Sequence, residues 1–84
     1  MQVKATPRFV KSLNKFDAAT KRRILNKASK LADDPYEGKM LKGELSGLFS
    51  LRVGDYRVIY WVDEKEGTIW LVEVGHRKRI YRKT

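Results

Sequence analysis

A hairpin near the middle of the chain constrains the fold more than any other feature of the sequence. Aromatic and β-branched residues alternate with polar ones along 48–53 and again along 56–62, a pattern that predicts two strands. Gly54-Asp55 between them fits a two-residue type II′ turn with glycine at the first central position. The turn fixes the register, so Arg52 is expected directly opposite Arg57.

The period of two separates the side chains of these strands into two faces. Phe49, Leu51, Val53, Tyr56, Val58, Tyr60 and Val62 form the face that the rest of the chain should cover, and Ser50, Arg52, Arg57, Ile59 and Trp61 form the open face. A third strand over 68–74 should continue this register after a turn at 63–67. It is expected to add Trp70, Val72 and Val74 to the core and Ile69, Leu71 and Glu73 to the open face.

The open face has an unusual composition. Arginines directly opposite each other destabilise a sheet by a few tenths to ~1 kcal/mol unless an anion lies between them. Glu73 is one candidate for that anion, because its expected position is beside Arg57, and an external polyanion is the other. Apolar side chains next to these charges, at Trp61, Ile59 and Leu71, predict a binding surface.

The N-terminal part of the chain has a helical period instead. Thr6 and Pro7 give a helix start, and Asp17 is a good cap for a second helix that should end before Pro35. The two apolar stripes are Phe9, Leu13 and Phe16, then Ile24, Leu25, Ala28, Leu31 and Ala32. With a weak strand over 1–5 and a glycine-rich surface loop over 36–47, these elements predict an α+β fold. An N-terminal strand and a helical hairpin pack on a three- to four-stranded antiparallel sheet.

Length and charge narrow the function. Eighty-four residues suffice for one compact domain, expected over 1–84, with a net charge of +9. Residues 1–30 hold nine Lys/Arg against one acid, residues 31–75 five against nine, and residues 76–84 five against none. Two basic blocks in so short a chain favour a nucleic-acid partner over a merely solvated surface.

Several classes of function are not expected. The chain has no cysteine and a single histidine, so we expect neither a metal site nor a bound cofactor. It has no apolar run near the ~18 to 20 residues that span a bilayer and no signal-peptide h-region at its N-terminus. A soluble cytoplasmic protein without a membrane partner is therefore expected.

The C-terminal segment is basic and carries one more tyrosine. If Arg77 begins a short helical turn, Tyr81 follows at i+4 and projects from the same side. A frayed tail held to the core through Ile80 or Tyr81 is the alternative. The segment should leave the sheet beside the hairpin turn, because Val74 is expected opposite Tyr56, and it then lies within reach of the open-face arginines.

Three segments together resemble the RelE/ParE toxin superfamily. They are LKGELSG at 41–47, LRVGDYRVIY at 51–60, and VGHR at 74–77 followed by Tyr81. The resemblance covers nearly the whole chain and implies the same order of elements as the residue pattern does. For the RelE branch it implies a toxin that enters the ribosomal A site and cleaves mRNA there without a metal.

The resemblance also implies a set of functional residues. Arg57 matches the arginine of the family's G-Y-R strand, Arg77 that of its C-terminal G-x-R, and Tyr81 the tyrosine that follows, while Arg52 stands near basic positions of the preceding strand. These four residues are the expected catalytic set, with guanidinium groups stabilising the phosphorane. Proton transfer is open between Tyr81 and His76, and Tyr81 is equally suited to stacking on a base.

Partners follow from the same resemblance. Residues expected to bind RNA or the ribosome are Lys42, His76, Lys78, Arg79, Arg22 and Arg23. A cognate acidic, RelB-like antitoxin should form a hetero-oligomer with the toxin and cover the Trp61, Ile59 and Leu71 patch or a groove on the helices. Two alternatives stay open: a ParE-like inhibitor of DNA gyrase without catalytic residues, and an RNA-binding relative that does not cut.

Overall fold

The computed structural model describes residues 1–80. Its strands are β1 (Gln2–Ala5), β2 (Lys39–Met40), β3 (Phe49–Val53), β4 (Tyr56–Asp63) and β5 (Thr68–His76). Its helices are α1 (Pro7–Leu13) and α2 (Ala18–Ser29), with short 3-10 turns at Lys30–Ala32 and Gly43–Leu45. Two helices pack on one sheet, which confirms the predicted α+β architecture.

The sheet is wider than predicted and is mixed rather than purely antiparallel. Its five strands have the order β1-β5-β4-β3-β2. β1 runs parallel to β5, with Gln2 opposite Thr68, whereas the other pairs are antiparallel. The two-residue β2 lies in the segment predicted as a loop, where only its backbone pairing with the edge of β3 makes it a strand. The parallel pairing of β1 with β5 and the pairing of β2 with β3 are backbone contacts between distant segments. No pattern of side chains in the sequence predicts them.

The central hairpin has the predicted register. Arg52 lies opposite Arg57, and Phe49 lies opposite Tyr60. Gly54 has a φ of +59°, while no residue other than glycine has a positive φ within residues 1–80. A positive φ at the first central position alone is the signature of the predicted type II′ turn.

A bulge between β4 and β5 overturns part of the predicted face assignment. Ile59 lies opposite Glu73 and Tyr60 opposite Leu71, so Val72 has no partner in the ladder. One extra residue moves every earlier side chain of β5 to the other face. Ile69 and Leu71 are therefore buried in the core, and Trp70 lies half-exposed opposite Trp61. The predicted faces are wrong for Trp70, Ile69 and Leu71. Val72, predicted in the core, is only half-buried and is not part of it, while Val74 is buried as predicted.

Both helices begin at the predicted caps. The Thr6 hydroxyl accepts the Phe9 N–H at 3.2 Å, and the Asp17 carboxylate accepts the Thr20 N–H at 2.8 Å. The hydrogen bonds from Thr20 hold the pKa of Asp17 below its ordinary value. Leu25 is exposed, contrary to the predicted stripe, because it lies on the flank of α2, beside the buried row that includes Ile24.

The core lies between these helices and one face of the sheet, and it contains one tyrosine hydroxyl. Burial raises the pKa of Tyr60. Its hydroxyl accepts the Gly38 N–H and donates to the Pro35 carbonyl, both at 2.9 Å. A Cβ at Gly38 would lie 2.7 Å from that oxygen, so only glycine fits. This contact fixes the segment that leads into Lys39.

The chain forms one helical turn after β5. The N–H groups of Arg79 and Ile80 both donate to the His76 carbonyl, at 2.8 and 3.0 Å. The predicted C-terminal turn is confirmed as far as Ile80, and Tyr81 lies outside the described residues. Ile80 is buried against Gly75, where a Cβ would come within 3.1 Å of its Cδ1.

Candidate nucleic-acid interface

Three strands place a row of residues across one face of the sheet, close to the hairpin turn. Arg52 of β3 lies opposite Arg57 of β4, which in turn lies opposite Gly75 of β5. Residues paired across a sheet point to the same face. Ile80 occupies the space that a side chain at Gly75 would fill, so the C-terminal turn packs beside Arg57 on this face. We call Arg52, Arg57 and Gly75 the arginine row.

The two arginines of this row differ in their surroundings. Arg52 is exposed, and its Nε donates to the Gly54 carbonyl at 3.3 Å. Arg57 is half-buried, and its fully buried Nε has no hydrogen-bond partner among the described residues. A buried donor without a partner costs roughly 1–3 kcal/mol. Arg57 is thus a strong hydrogen-bond donor that the described part of the fold leaves unsatisfied.

Glu73 does not neutralise Arg57. Its carboxylate is bound by Nε of Arg8 at 2.7 Å, and the two side chains are 13% and 60% exposed, respectively. Its ladder partner is Ile59 rather than Arg57. Within residues 1–80, neither Arg52 nor Arg57 forms an ion pair, so no acid of this part of the chain neutralises them.

Lysines from two other elements share a depression with the arginine row. This depression has a volume of about 220 Å³, and its lining includes Lys27 of α2, Lys39 of β2, Arg52 and Arg57. Glu37 is the acid among its described lining residues. From the sequence, Lys27 falls in the second predicted helix and Lys39 in the predicted loop over 36–47. No local pattern could have joined them, because they meet at the edge of β3 only in the folded chain.

Arg77 lies at the same end of the sheet. Its N–H donates to the Asp55 carbonyl at 2.8 Å, which places it beside the hairpin turn with its side chain exposed. The predicted pairing of Val74 with Tyr56 is wrong, because β5 runs on and places His76 there instead. The C-terminal segment nevertheless leaves the sheet at the predicted end, beside the hairpin turn.

His76 lies on the other face from the arginines. It is paired with Tyr56, whose ring it meets edge to face at 5.9 Å between centroids. Neighbouring residues of a strand point to opposite faces, so the imidazole is separated from Arg57 by the sheet. Its Nδ1 accepts the Lys78 N–H at 3.3 Å, so the neutral ring carries its hydrogen on Nε2.

The remaining predicted RNA-binding residues are only partly brought together. Arg23 approaches the hairpin, since a Cβ at Gly54 would lie 2.6 Å from its Nη2. Lys42 lies near the start of β3, at the opposite end of that strand from the hairpin turn, next to the hydrogen bond from Leu41 to Leu48. Arg22, Lys78 and Arg79 are exposed.

The predicted apolar patch of Trp61, Ile59 and Leu71 is wrong. Ile59 and Leu71 are only 6% and 3% exposed, because the bulge turns Leu71 into the core. Trp61 is 44% exposed and lies opposite Trp70, and the Lys4 ammonium lies 5.7 Å from the Trp70 ring. Of the patch, Trp61 therefore stays exposed, and its aromatic neighbour across the ladder is Trp70.

Fold and site together define a class of protein. The described residues form a small α+β domain that gathers arginines without a described ion-pair partner and lysines at one end of its sheet, as proteins that bind the nucleic-acid backbone do. Within residues 1–80, no three His, Cys, Asp or Glu side chains are arranged to hold a metal ion, and no helix is long and apolar enough to cross a membrane.

Comparison with known proteins identifies the family. A family model described as the ParE toxin of type II toxin-antitoxin systems, parDE, matches residues 3–81. The chain belongs to this family, as the sequence resemblance implied.

Solved structures and one curated relative extend the comparison. The chain is 32% identical to a chain of the RelBE2 toxin-antitoxin complex of Mycobacterium tuberculosis, with a TM-score of 0.84 over 90% of this chain and 96% of that one. It is also 32% identical to a chain of the RelE-RelB complex of Pyrococcus horikoshii OT3, with a TM-score of 0.77 over 93% and 96%. Toxin RelG of M. tuberculosis is 46% identical over 46 residues, which are 55% of this chain and 53% of RelG. The match thus spans about half the length of this curated relative.

Proposed function

We propose that residues 1–84 form one cytoplasmic toxin domain that cleaves mRNA in the ribosomal A site. Support comes from the names of its relatives, RelG and RelE, and from the structural match to RelBE2 at 32% identity. The observation that carries the proposal is the buried Nε of Arg57, which has no hydrogen-bond partner among residues 1–80 and belongs to a side chain opposite Arg52. A phosphate between these side chains would accept that hydrogen bond and offset the repulsion between the two charges.

The proposed reaction is an internal phosphoryl transfer. The 2′-oxygen of one nucleotide attacks the adjacent phosphorus, the bond to the 5′-oxygen of the next nucleotide breaks, and a 2′,3′-cyclic phosphate is left. Negative charge accumulates on the non-bridging oxygens during this step. Arg57 and Arg52 bind those oxygens through their planar forks, and Arg77 adds a third cation beside the hairpin turn.

Protons must leave the 2′-oxygen and reach the departing 5′-oxygen. We assign this transfer to Tyr81 rather than to His76, because the imidazole lies on the face of the sheet that points away from Arg57. A tyrosine has a reference pKa near ~10, so this role needs cations close to the phenol, which favour its ionised form. Tyr81 lies outside the described residues, so its role rests on the family motif.

The other predicted cations bind RNA without taking part in the reaction. Arg22, Arg23, Lys42, Lys78 and Arg79 supply docking charge for mRNA and ribosomal RNA, and His76 contacts RNA from the opposite face of the sheet. Lys27 and Lys39 join them in the depression beside Arg57.

An assay on mRNA-programmed ribosomes, read by primer extension, tests the proposal. Wild type should cut within the A-site codon. Arg57→Ala should cut roughly 10²- to 10³-fold more slowly, which is the usual loss when one donor to a developing oxyanion is removed. Lys65→Ala is the matched control, because Lys65 is an exposed cation in the turn at the other end of β4.

A second candidate function is inhibition of DNA gyrase, which the ParE name of the matching family model favours. Gyrase supercoiling blocked by wild type, with no A-site cut, would establish this function and exclude the nuclease. A non-cutting relative is tested by growth arrest on induction. Equal arrest by wild type, Arg57→Ala and Arg77→Ala would contradict the catalytic assignment.

We further propose a RelB-like antitoxin as partner, because two of the matching structures are complexes of a RelE toxin with RelB. Its acidic side chains would lie near the arginine row, and its apolar ones would cover the Trp61 and Trp70 pair. Arg52→Glu should weaken binding of the antitoxin at least tenfold, as measured by calorimetry. Unchanged affinity would contradict an acidic contact at this site.

A further inference from the structure

Three aromatic rings form a connected cluster on the face of the sheet opposite the arginine row. Phe16, which follows α1, meets Tyr56 edge to face with centroids 5.0 Å apart and planes at 60°. Tyr56 meets His76 at 5.9 Å and 80°. All three residues are only half-buried. Phe16 and Tyr56 pack against the core, and each of the three residues leaves part of its surface open to solvent.

This cluster lines a cavity of about 330 Å³, which we call the aromatic cavity, together with Lys78 and Arg79. Its volume lies at the lower end of the roughly 300–1,000 Å³ typical of small-ligand sites, so it suits a single planar group. None of its described lining residues is an acid. An adjoining cavity of about 310 Å³ adds Lys15, and Glu73, the acid among its described lining residues, is bound to Arg8.

The geometry points to an unpaired RNA base as the occupant of the aromatic cavity, an inference that rests on RNA being the partner of this protein. Aromatic faces with adjacent cations are the combination that holds single-stranded nucleic acid, the rings stacking on a base and the cations binding its phosphate. Nε2–H of His76 is available to donate to the base, because Nδ1 is held by the Lys78 N–H.

The position of the cavity links it to the arginine row. Val53, Tyr56 and His76 form the row next to Arg52, Arg57 and Gly75, one residue away along each strand and on the opposite face. Both rows lie at the end of the sheet that carries the hairpin turn of β3 and β4. A single strand of RNA passing around this end places one phosphate at Arg57 and a neighbouring base in the aromatic cavity.

A short RNA with 2′-O-methyl groups, which cannot be cleaved, tests the inference without ribosomes. Its affinity for wild type is compared with that of the same oligonucleotide carrying abasic sites, by NMR titration. We expect the intact oligonucleotide to bind roughly 5- to 150-fold more tightly, the usual range for one stacked base, and to shift the signals of Phe16, Tyr56 and His76. Equal affinities, or shifts confined to Lys78 and Arg79, would overturn the inference in favour of phosphate contacts alone.

Variants of Tyr56 and Lys78 show which part of the cavity binds the RNA. Tyr56→Leu should abolish the preference for the intact oligonucleotide, whereas Tyr56→Phe, which keeps the ring, should retain it. Lys78→Glu should weaken both oligonucleotides, with Lys65→Glu as the matched control. An acidic peptide of glutamates and phenylalanines that produces the same ring shifts more strongly than RNA would identify the cavity as a protein-docking surface and overturn the inference.

The outcome is separable from that of the proposed function. Wild type that cuts mRNA on the ribosome yet shows no preference for intact over abasic RNA rejects the base site and keeps the nuclease. Wild type that binds intact RNA preferentially yet never cuts keeps the base site and rejects the nuclease. The abasic comparison uses only wild-type protein, so it stands even where Tyr56→Leu fails to fold.

Discussion

At the scale of single residues, Arg57 is where the proposed function and the stability of the free protein oppose each other. It faces another arginine across the hairpin, and its buried Nε has no partner among residues 1–80. Both features destabilise a fold, and both become favourable once a phosphate is bound. Residues that cost stability in the free protein are frequent at functional sites.

Arg57→Met should therefore stabilise the free protein while it removes activity. The change eliminates the like-charge pair and the unsatisfied donor but keeps a long side chain, so we expect the free energy of unfolding to rise by a few tenths to ~1 kcal/mol. Urea denaturation measures it, with Arg8→Met as a contrast, because Arg8 is paired with Glu73. If Arg57→Met clearly lowered the free energy of unfolding, the Arg57 side chain would already have stabilising contacts in the free protein.

Tyr60 gives a residue-scale prediction that depends on pH. Tyr60→Phe leaves the Gly38 N–H and the Pro35 carbonyl without their partner, so at neutral pH it should cost roughly 1–3 kcal/mol. Burial raises the pKa of Tyr60 in the folded state. The unfolded chain thus ionises first, and the stabilisation by Tyr60 is complete below pH ~10 and declines as pH rises through the folded pKa.

The measurement is a pair of urea titrations between pH 7 and 11. The difference in stability between wild type and Tyr60→Phe should narrow above pH ~10. A difference that stays constant or widens at alkaline pH would contradict a raised pKa.

At the scale of elements, the bulge in β5 decides which side chains enter the core. Deleting Val72 removes the residue of β5 that has no ladder partner and leaves the other pairs in place, with Leu71 opposite Tyr60 and Ile69 opposite Val62. Both side chains stay in the core, so this deletion should leave the protein folded by circular dichroism, as should deletion of Lys65 in the exposed turn before β5. Leu71→Ala is the contrast, because loss of one large buried side chain typically costs roughly 2–5 kcal/mol. Unfolding on deletion of Val72 would contradict the assigned register.

The elements that the sequence predicted are those with local causes. The caps at Thr6 and Asp17 act on the next three residues, and Gly54 sets the hairpin register by its own backbone angle. The bulge at Val72 and the parallel pairing of β1 with β5 have no local cause, because they depend on how distant strands meet. Strict alternation of side chains between the two faces therefore predicted the wrong faces for part of β5.

At the scale of the whole molecule, the +9 charge of the chain resolves into distinct surfaces. The arginine row and its two lysines lie on one face of the hairpin end, and the aromatic cavity with its cations lies on the other. Motif and register could locate Arg52, Arg57 and Arg77 in advance. Lys27 and Lys39 could not be located, because α2 and β2 reach the site only through the packing of the complete fold.

Salt dependence of RNA binding tests whether these lysines belong to the site. Each phosphate contact with single-stranded nucleic acid contributes about −0.7 to the slope of log K against log salt concentration. Lys27→Ala and Lys39→Ala should each make the slope less steep by about this amount, and Lys65→Ala should not change it. Fluorescence anisotropy with the 2′-O-methyl oligonucleotide measures the slopes. If the slope is unchanged in both variants, Lys27 and Lys39 do not contact phosphate and do not belong to the site.

The most direct test of the account is cleavage on programmed ribosomes with a single 2′-deoxy nucleotide at the cut position. We predict that wild type cuts the all-ribose message and leaves the substituted one intact at that position, because the attacking oxygen is missing. Arg57→Ala should cut the all-ribose message roughly 10²- to 10³-fold more slowly, and Lys65→Ala at the wild-type rate. No cut by wild type, or equal cutting by wild type and Arg57→Ala, would contradict the claim that the arginine row performs the reaction.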